Sequence, residues 1–252
     1  MQKLYSFLLS LLLLVCVLVP SGSLATDQQA NDYIVVLLDA SGSMDETIRS
    51  TGQQKIVAAK VALTDMIAGL DQDTQIGLLV MEGNVDGWAY PLGPLDKTKF
   101  LAAVKHVKPN HGTPLGTFMA TATNALLKER AKNRNTGNYR LVILTDGVVK
   151  GREKGMVERF TPEIVGRGIK VQAIGLDMKS DHVLKTMVQF SAADDGDQLR
   201  TQMRRAVAEI PTSDVNASQA ALDLIAPLTT EEAMMILQAI GTGEFNNTLI
   251  GQ

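Results

Sequence analysis

Five side chains carry the chemistry available to this sequence: Asp39, Ser41, Ser43, Thr113 and Asp146. The first three leave an apolar run, residues 33–38, at alternate positions of Asp39-Ala40-Ser41-Gly42-Ser43. Alternate side chains of an extended backbone project to one side, so the three can aim at a common point. Asp146 follows a second apolar run, residues 139–144, in Thr145-Asp146-Gly147. Thr113 lies in His111-Gly112-Thr113-Pro114-Leu115-Gly116, a loop expected to open at the same end of the fold. Two carboxylates and three hydroxyls make an all-oxygen donor set, which suits Mg²⁺, Mn²⁺ or Ca²⁺ rather than zinc or copper. Taken singly, Ser43 or Thr113 fits a helix cap or a turn equally well. The complete set is not readily explained that way.

An enzyme would need a nucleophile or a positioned base. Neither Ser41 nor Ser43 sits in a Gly-x-Ser-x-Gly elbow. No Gly-x-x-x-x-Gly-Lys loop is present to cradle a phosphate. His106 and His111 are the only histidines near the proposed site; the first falls in a helical stretch and the second in the Thr113 loop. With no base assigned a role, the chain is expected not to be an enzyme. A hydrolase with an unfamiliar site is the catalytic alternative.

The elements that must position these residues alternate regularly. Continuous rather than alternating hydrophobicity at 33–38 and 139–144 marks strands buried on both faces. Further strands are expected at 75–81 and 169–174, with a short edge strand around Trp88-Ala89-Tyr90. Helical spacing is found at 53–70, where Ile56, Ala59, Leu63, Met66, Ile67 and Leu70 share a face. Other helices are expected at 97–107, from Pro114 to about residue 132, at 182–190 and at 197–210. A helix at 156–165 is expected to break where Thr161-Pro162-Glu163 resembles a fresh N-terminus. Strands separated by single helices define an α/β fold: a doubly wound, mostly parallel central sheet with helices on both faces. Ligands of such sheets bind beyond the carboxyl ends of the strands, where the strand order reverses.

The ends of the chain differ from this middle. Residues 4–19 are apolar after a start carrying Lys3, and small residues follow, ending in Ser23-Leu24-Ala25. This is the pattern of a secretory signal peptide, 1–25, cleaved after Ala25. The run is shorter than the roughly 20 residues a spanning helix needs; a retained anchor is the alternative. The single cysteine, Cys16, lies within the leader, so the mature chain would carry no thiol and no disulfide. The expected product is exported, periplasmic or secreted, with no membrane span after cleavage. A net charge of −3 over 252 residues argues against a nucleic-acid partner, whose binding surface is usually strongly basic. Residues 211–252 form a tail in which Thr229 and Glu232 have capping-box spacing, so a small C-terminal helix is expected there.

The segments Asp39-Ala40-Ser41-Gly42-Ser43-Met44, Gly112-Thr113-Pro114-Leu115 and Thr145-Asp146-Gly147 together resemble the von Willebrand factor type A domain. In order and spacing they are similar to the three segments of that family's metal-ion-dependent adhesion site. The resemblance covers about 31–210. It implies that Ser41, Ser43 and Thr113 bind a cation through hydroxyls, with Asp39 and Asp146 coordinating directly or through water. It further implies an adhesion or assembly module whose cation is completed by an Asp or Glu from a partner protein. A scaffold whose tail does the binding is the structural alternative. The family usually has a Gly-aromatic stretch in its last strand. Here Phe190-Ser191-Ala192-Ala193 gives little strand signal, and a short or absent sixth strand is expected.

Overall fold

The computed structural model describes residues 31–81, 87–110, 112–147, 149–178, 181–208 and 246–251. The leader at 1–25, the Thr229 helix, and all of the tail except 246–251 lie outside the described residues.

Six strands form one sheet in the order β3-β2-β1-β4-β5-β6. They are β1 (Asp32–Asp39), β2 (Gln75–Met81), β3 (Trp88–Pro94), β4 (Asn138–Thr145), β5 (Lys170–Leu176) and β6 (Gln189–Ala193). All neighbours pair in parallel except β3, which runs antiparallel along the edge of β2. Five helices complete the described fold: α1 (Lys55–Ala68), α2 (Lys97–His106), α3 (Leu115–Lys132), α4 (Gly151–Gly166) and α5 (Gly196–Val207).

The continuous apolar runs are explained by two cores, one on each face of the sheet. Ile34, Val36 and Leu38 of β1 point into a core with α1, α2 and α5. Tyr33, Val35 and Leu37 point into the other, with α3 and α4. A central strand buried this way has no solvent face to be polar. Strand order reverses between β1 and β4, which places their carboxyl ends, Asp39 and Thr145, side by side at the switch point.

Two local expectations need correction, and a third, the short or absent sixth strand, resolves to short. Helix α4 runs unbroken from Gly151 through Pro162. Its buried stripe of Val157, Phe160 and Ile164 continues across the proline, and Thr161 donates its hydroxyl back to the Val157 carbonyl at 2.7 Å, so tertiary packing outweighs the one ladder bond that Pro cannot make. Residues 182–190 are not a helix. His182 caps a short 3-10 turn, Val183–Thr186, by accepting from the Leu184 amide, and the chain then extends into β6. The sixth strand is therefore present, five residues long and parallel to β5. Its half-exposed edge position explains why Gln189 to Ala193 shows no clean apolar pattern.

Candidate metal centre

At the switch point four of the five polar residues, Asp39, Ser41, Ser43 and Asp146, are tied together by hydrogen bonds, and Thr113 borders the same space without joining the chain of bonds. Asp39 is buried at the end of β1. Its Oδ1 accepts the Ser41 amide at 2.8 Å and its Oδ2 accepts the Thr145 hydroxyl at 2.7 Å. The Ser41 and Ser43 hydroxyls lie 3.0 Å apart. Ser43 Oγ donates to Asp146 Oδ1 at 2.7 Å. The tight 3-10 turn Gly42–Asp45, with Met44 buried beneath it, folds the chain back so that the two serines face one spot.

Thr113 enters from the start of α3. A side-chain carbon added to Gly147 would lie 3.6 Å from Thr113 Oγ1 and 3.8 Å from Asp39 Oδ2. Gly147 thus keeps open the space that both oxygens border. Two features fix the α3 start. Gly116 approaches α4 so closely that a Cβ would stand 2.5 Å from Met156 Cβ and 2.9 Å from the Glu153 carbonyl. Glu153 of α4 also accepts the Thr117 amide and the Thr117 hydroxyl, both at 2.9 Å. An anionic acceptor on a first-turn amide satisfies a donor the helix leaves unpaired and opposes the positive end of its dipole. The N-cap itself, Pro114, provides no side-chain cap, so this is supplied from α4.

Two participants escape sequence reasoning. Thr145 lies in the same three-residue segment as Asp146, yet its hydroxyl serves Asp39. Lys55 is the larger omission. Its side chain is 3% exposed and its ammonium stands 2.7 Å from Asp146 Oδ2, whose side chain is fully buried. Glu46, half exposed, lies 3.5 Å from the same ammonium. Burial pulls the Lys55 ammonium toward neutrality, but the bond and charge of Asp146, with Glu46, outweigh it and hold its pKa above the ordinary lysine value. For Asp39 burial dominates: it raises the carboxyl pKa, with the charge of Asp146 adding to the rise, against the lowering by the Thr145 and Ser41 bonds. One sequence signal for Lys55 exists. It is the first residue of α1, where the helix dipole disfavours a cation.

The centre offers oxygen donors and one ammonium, with no thiolate and no imidazole in its hydrogen-bond chain. Among the described residues no group of three or more His, Cys, Asp or Glu side chains converges anywhere. His106 is exposed, its Nδ1 2.7 Å from the Ala102 carbonyl of its own helix. His111 lies outside the described residues. Of the acidic neighbours, Asp45 is exposed, accepting from the Gln54 amide at 3.3 Å. The donor set suits a hard divalent cation: two carboxylates supply charge, and the gap beside Gly147 supplies room bordered by hydroxyl and carboxylate oxygens.

A doubly wound α/β domain with an oxygen-lined centre at its switch point defines the class. Residues 34–221 match the von Willebrand factor type A domain, and the chain belongs to that family. Bacillus subtilis (strain 168) has a relative, YwmD, 26% identical over 187 residues, which are 68% of this chain and 81% of that one. Among solved structures, a von Willebrand factor type A protein from Catenulispora acidiphila superposes with a TM-score of 0.57 at 20% identity, covering 70% of this chain and 42% of that one. The pilus adhesin SpaC of Lactobacillus rhamnosus GG gives 0.58 at 15% identity, covering 71% and 30%. Proximal thread matrix protein 1 of the mussel byssus, with zinc in its metal-ion-dependent adhesion site, gives 0.51 at 18% identity, covering 71% and 45%. This chain therefore spans less than half of each of these structures, and the likeness is one of fold. No helix among the described residues is long and apolar enough to cross a membrane.

Proposed function

We propose that this chain is an exported binding module that holds a divalent cation through Asp39, Ser41, Ser43, Thr113 and Asp146, and that a partner protein completes the site with an Asp or Glu. What supports this reading is the grouping of Ser41, Ser43 and the buried carboxylates by hydrogen bonds, with Thr113 Oγ1 and Asp39 Oδ2 bordering the space beside Gly147. Mg²⁺ is the first expectation, with Mn²⁺ or Ca²⁺ able to serve the same oxygen set. Bound there, the cation supplies a Lewis-acidic centre able to accept an oxygen from outside the chain.

The residues around it set the charge. Asp39 and Asp146 bring two negative charges and Lys55 returns one positive charge at 2.7 Å from Asp146. The three buried side chains thus sum to one unit negative without a divalent cation and one unit positive with it, with the half-exposed Glu46 outside that sum. Such a centre repels an approaching carboxylate in the first state and attracts it in the second. Neutral hydroxyls in place of further carboxylates keep that positive excess from being cancelled. Two contacts support binding over catalysis: the Ser43 hydroxyl is committed to a carboxylate, and the Lys55 ammonium is held in an ion pair. We therefore assign binding rather than catalysis. Export rests on the apolar leader, and the SpaC adhesin and byssus protein are similar proteins whose names fit that setting.

Crosslinking capture from the native surroundings tests the proposal, run with Mg²⁺, with chelator, and with Asp39→Ala in Mg²⁺. Capture of a partner in the first arm alone is expected. The same partner recovered equally in all three arms would refute a cation-bridged mechanism.

A further inference from the structure

On the face of the sheet formed by α3 and α4, the groove between those two helices holds residues 246–251, and it holds them by reading their chemistry. Asn124 of α3 donates through Nδ2 to the Ile250 carbonyl at 3.0 Å and accepts the Ile250 amide through Oδ1 at 2.8 Å. One side-chain amide thereby satisfies both backbone groups of one residue, as a neighbouring strand would. The Ile250 side chain is 2% exposed and joins the core that includes Leu127 and Phe160. Gly251 has φ +73°, and a Cβ there would press to 3.2 Å from the Phe160 ring, so the backbone lies directly on the helix pair.

The other half of the segment is polar. Arg130, a buried guanidinium at 2% exposure, donates through Nε to Asn247 Oδ1 at 2.7 Å and through an Nη to the Asn246 carbonyl at 2.9 Å. Its other Nη donates to the Arg167 carbonyl. Asn247 Nδ2 donates to Asn135 Oδ1 at 2.7 Å, and Arg167 Nε donates to the Thr248 carbonyl at 3.1 Å. The Asn247 amide is thus matched at both ends, an acceptor to Arg130 and a donor to Asn135. A residue without a side-chain amide or carboxyl at 247 could satisfy neither.

This grip is not the consequence of chain continuity. Helix α5 lies in the opposite core. Its end is fixed where Arg140 donates to the Val207 and Ala208 carbonyls at 3.0 and 2.9 Å. Residues 209–245 separate that point from Asn246. The contacts of the segment with α3, α4 and the turns that follow them hold it in the groove.

We propose that the α3–α4 groove is a peptide-recognition site for an Asn-Asn-x-x-Ile segment, occupied intramolecularly by residues 246–251 and open to the same segment of a second copy of this chain. It lies apart from the oxygen-lined centre, and the proposal does not depend on a cation.

The test uses the full chain and a fluorescent synthetic peptide with the sequence of residues 244–252. Ile250→Asp in the chain places a charge where no partner awaits it and expels the resident segment. Asn247→Ala is the milder form, removing the bonds to Arg130 and Asn135 while leaving the apolar contacts intact. Both variants are expected to bind the peptide by anisotropy at least tenfold more tightly than the unsubstituted chain, whose groove is filled. Adding Asn124→Ala to either variant, or placing Ile250→Asp in the peptide instead, is expected to weaken binding tenfold or more. Peptide binding by neither variant, or equal binding by the unsubstituted chain, or equal binding of the Ile250→Asp peptide, would overturn the proposal.

Discussion

Replacing Lys55 by Met separates a structural lysine from one that stands in for a cation. In the metal-free protein Lys55→Met leaves the Asp146 carboxylate fully buried with the Ser43 hydroxyl as its remaining described side-chain donor. Removing one member of a buried ion pair costs about 3–5 kcal/mol. For a domain of this size each kcal/mol moves the midpoint by roughly 2–4 °C, so the loss is on the order of 10 °C. Met fills the aliphatic volume, which confines the loss to charge. A divalent cation bound to Asp146 supplies the missing positive charge and no longer meets the repulsion of the ammonium. Cation affinity should therefore rise, by about tenfold or more, and each tenfold returns about 1.4 kcal/mol at saturating metal. Thermal unfolding of both proteins with chelator and with Mg²⁺ or Mn²⁺, paired with calorimetry, reads both quantities. The expected pattern is a larger metal-induced rise in midpoint for Lys55→Met than for the unsubstituted chain. An equal deficit with and without metal, together with unchanged affinity, would refute the idea that the lysine and the cation share Asp146.

Other perturbations probe neighbouring parts of the account. Burial raises the Asp39 pKa, so the folded chain binds a proton there more readily than the unfolded one, and metal-free stability declines as pH rises through that raised pKa; Asp39→Asn should leave metal-free stability unchanged or raise it by about 1 kcal/mol while abolishing cation binding, checked by urea unfolding and calorimetry. Glu153→Ala removes the carboxylate that caps α3 and should cost about 1–2 kcal/mol, with faster amide exchange at residues 115–118 and weaker cation binding through Thr113. His182 is buried, and burial, with the charge of Lys185, lowers its pKa to about 4. The unfolded chain then takes up the proton first, so this stability is complete above about pH 6.5 and is lost as pH falls toward 4, by up to ~3 kcal/mol. Midpoints of the His182→Gln chain measured across that window should show a shallower slope than the unsubstituted chain.

The parts of the fold legible in the sequence are those where local pattern and tertiary burial agree. Residues 33–38 and 139–144 are apolar at every position apart from Arg140 because both faces of β1 and β4 are covered, and the helix at 55–68 follows its apolar stripe. Pattern fails where tertiary contact decides. Pro162 resembles a helix start in isolation, yet the buried faces of Phe160 and Ile164 hold α4 together across it. Gln189 to Ala193 carries no strand signature because an edge strand is half exposed and gains its order from β5. Of the oxygen-lined centre, the five residues that share short segments were visible as a set. Lys55 and Glu153 were not: each reaches the centre or its support from a helix, and the one hint, a cation at the start of α1, names no partner. The docking of 246–251 was likewise invisible: Arg130 and Asn124 are ordinary helix positions until Asn247 and Ile250 are placed against them.

The central claim is that Asp39, Ser41, Ser43, Thr113 and Asp146 hold one divalent cation. Crystals of the full chain grown with Mn²⁺ and measured at the manganese absorption edge test it directly. A single anomalous peak is expected in the space beside Gly147, within bonding distance of the Ser41, Ser43 and Thr113 hydroxyls. A peak elsewhere, or none at saturating Mn²⁺ with the Ser43–Asp146 and Lys55–Asp146 bonds unchanged, would contradict it.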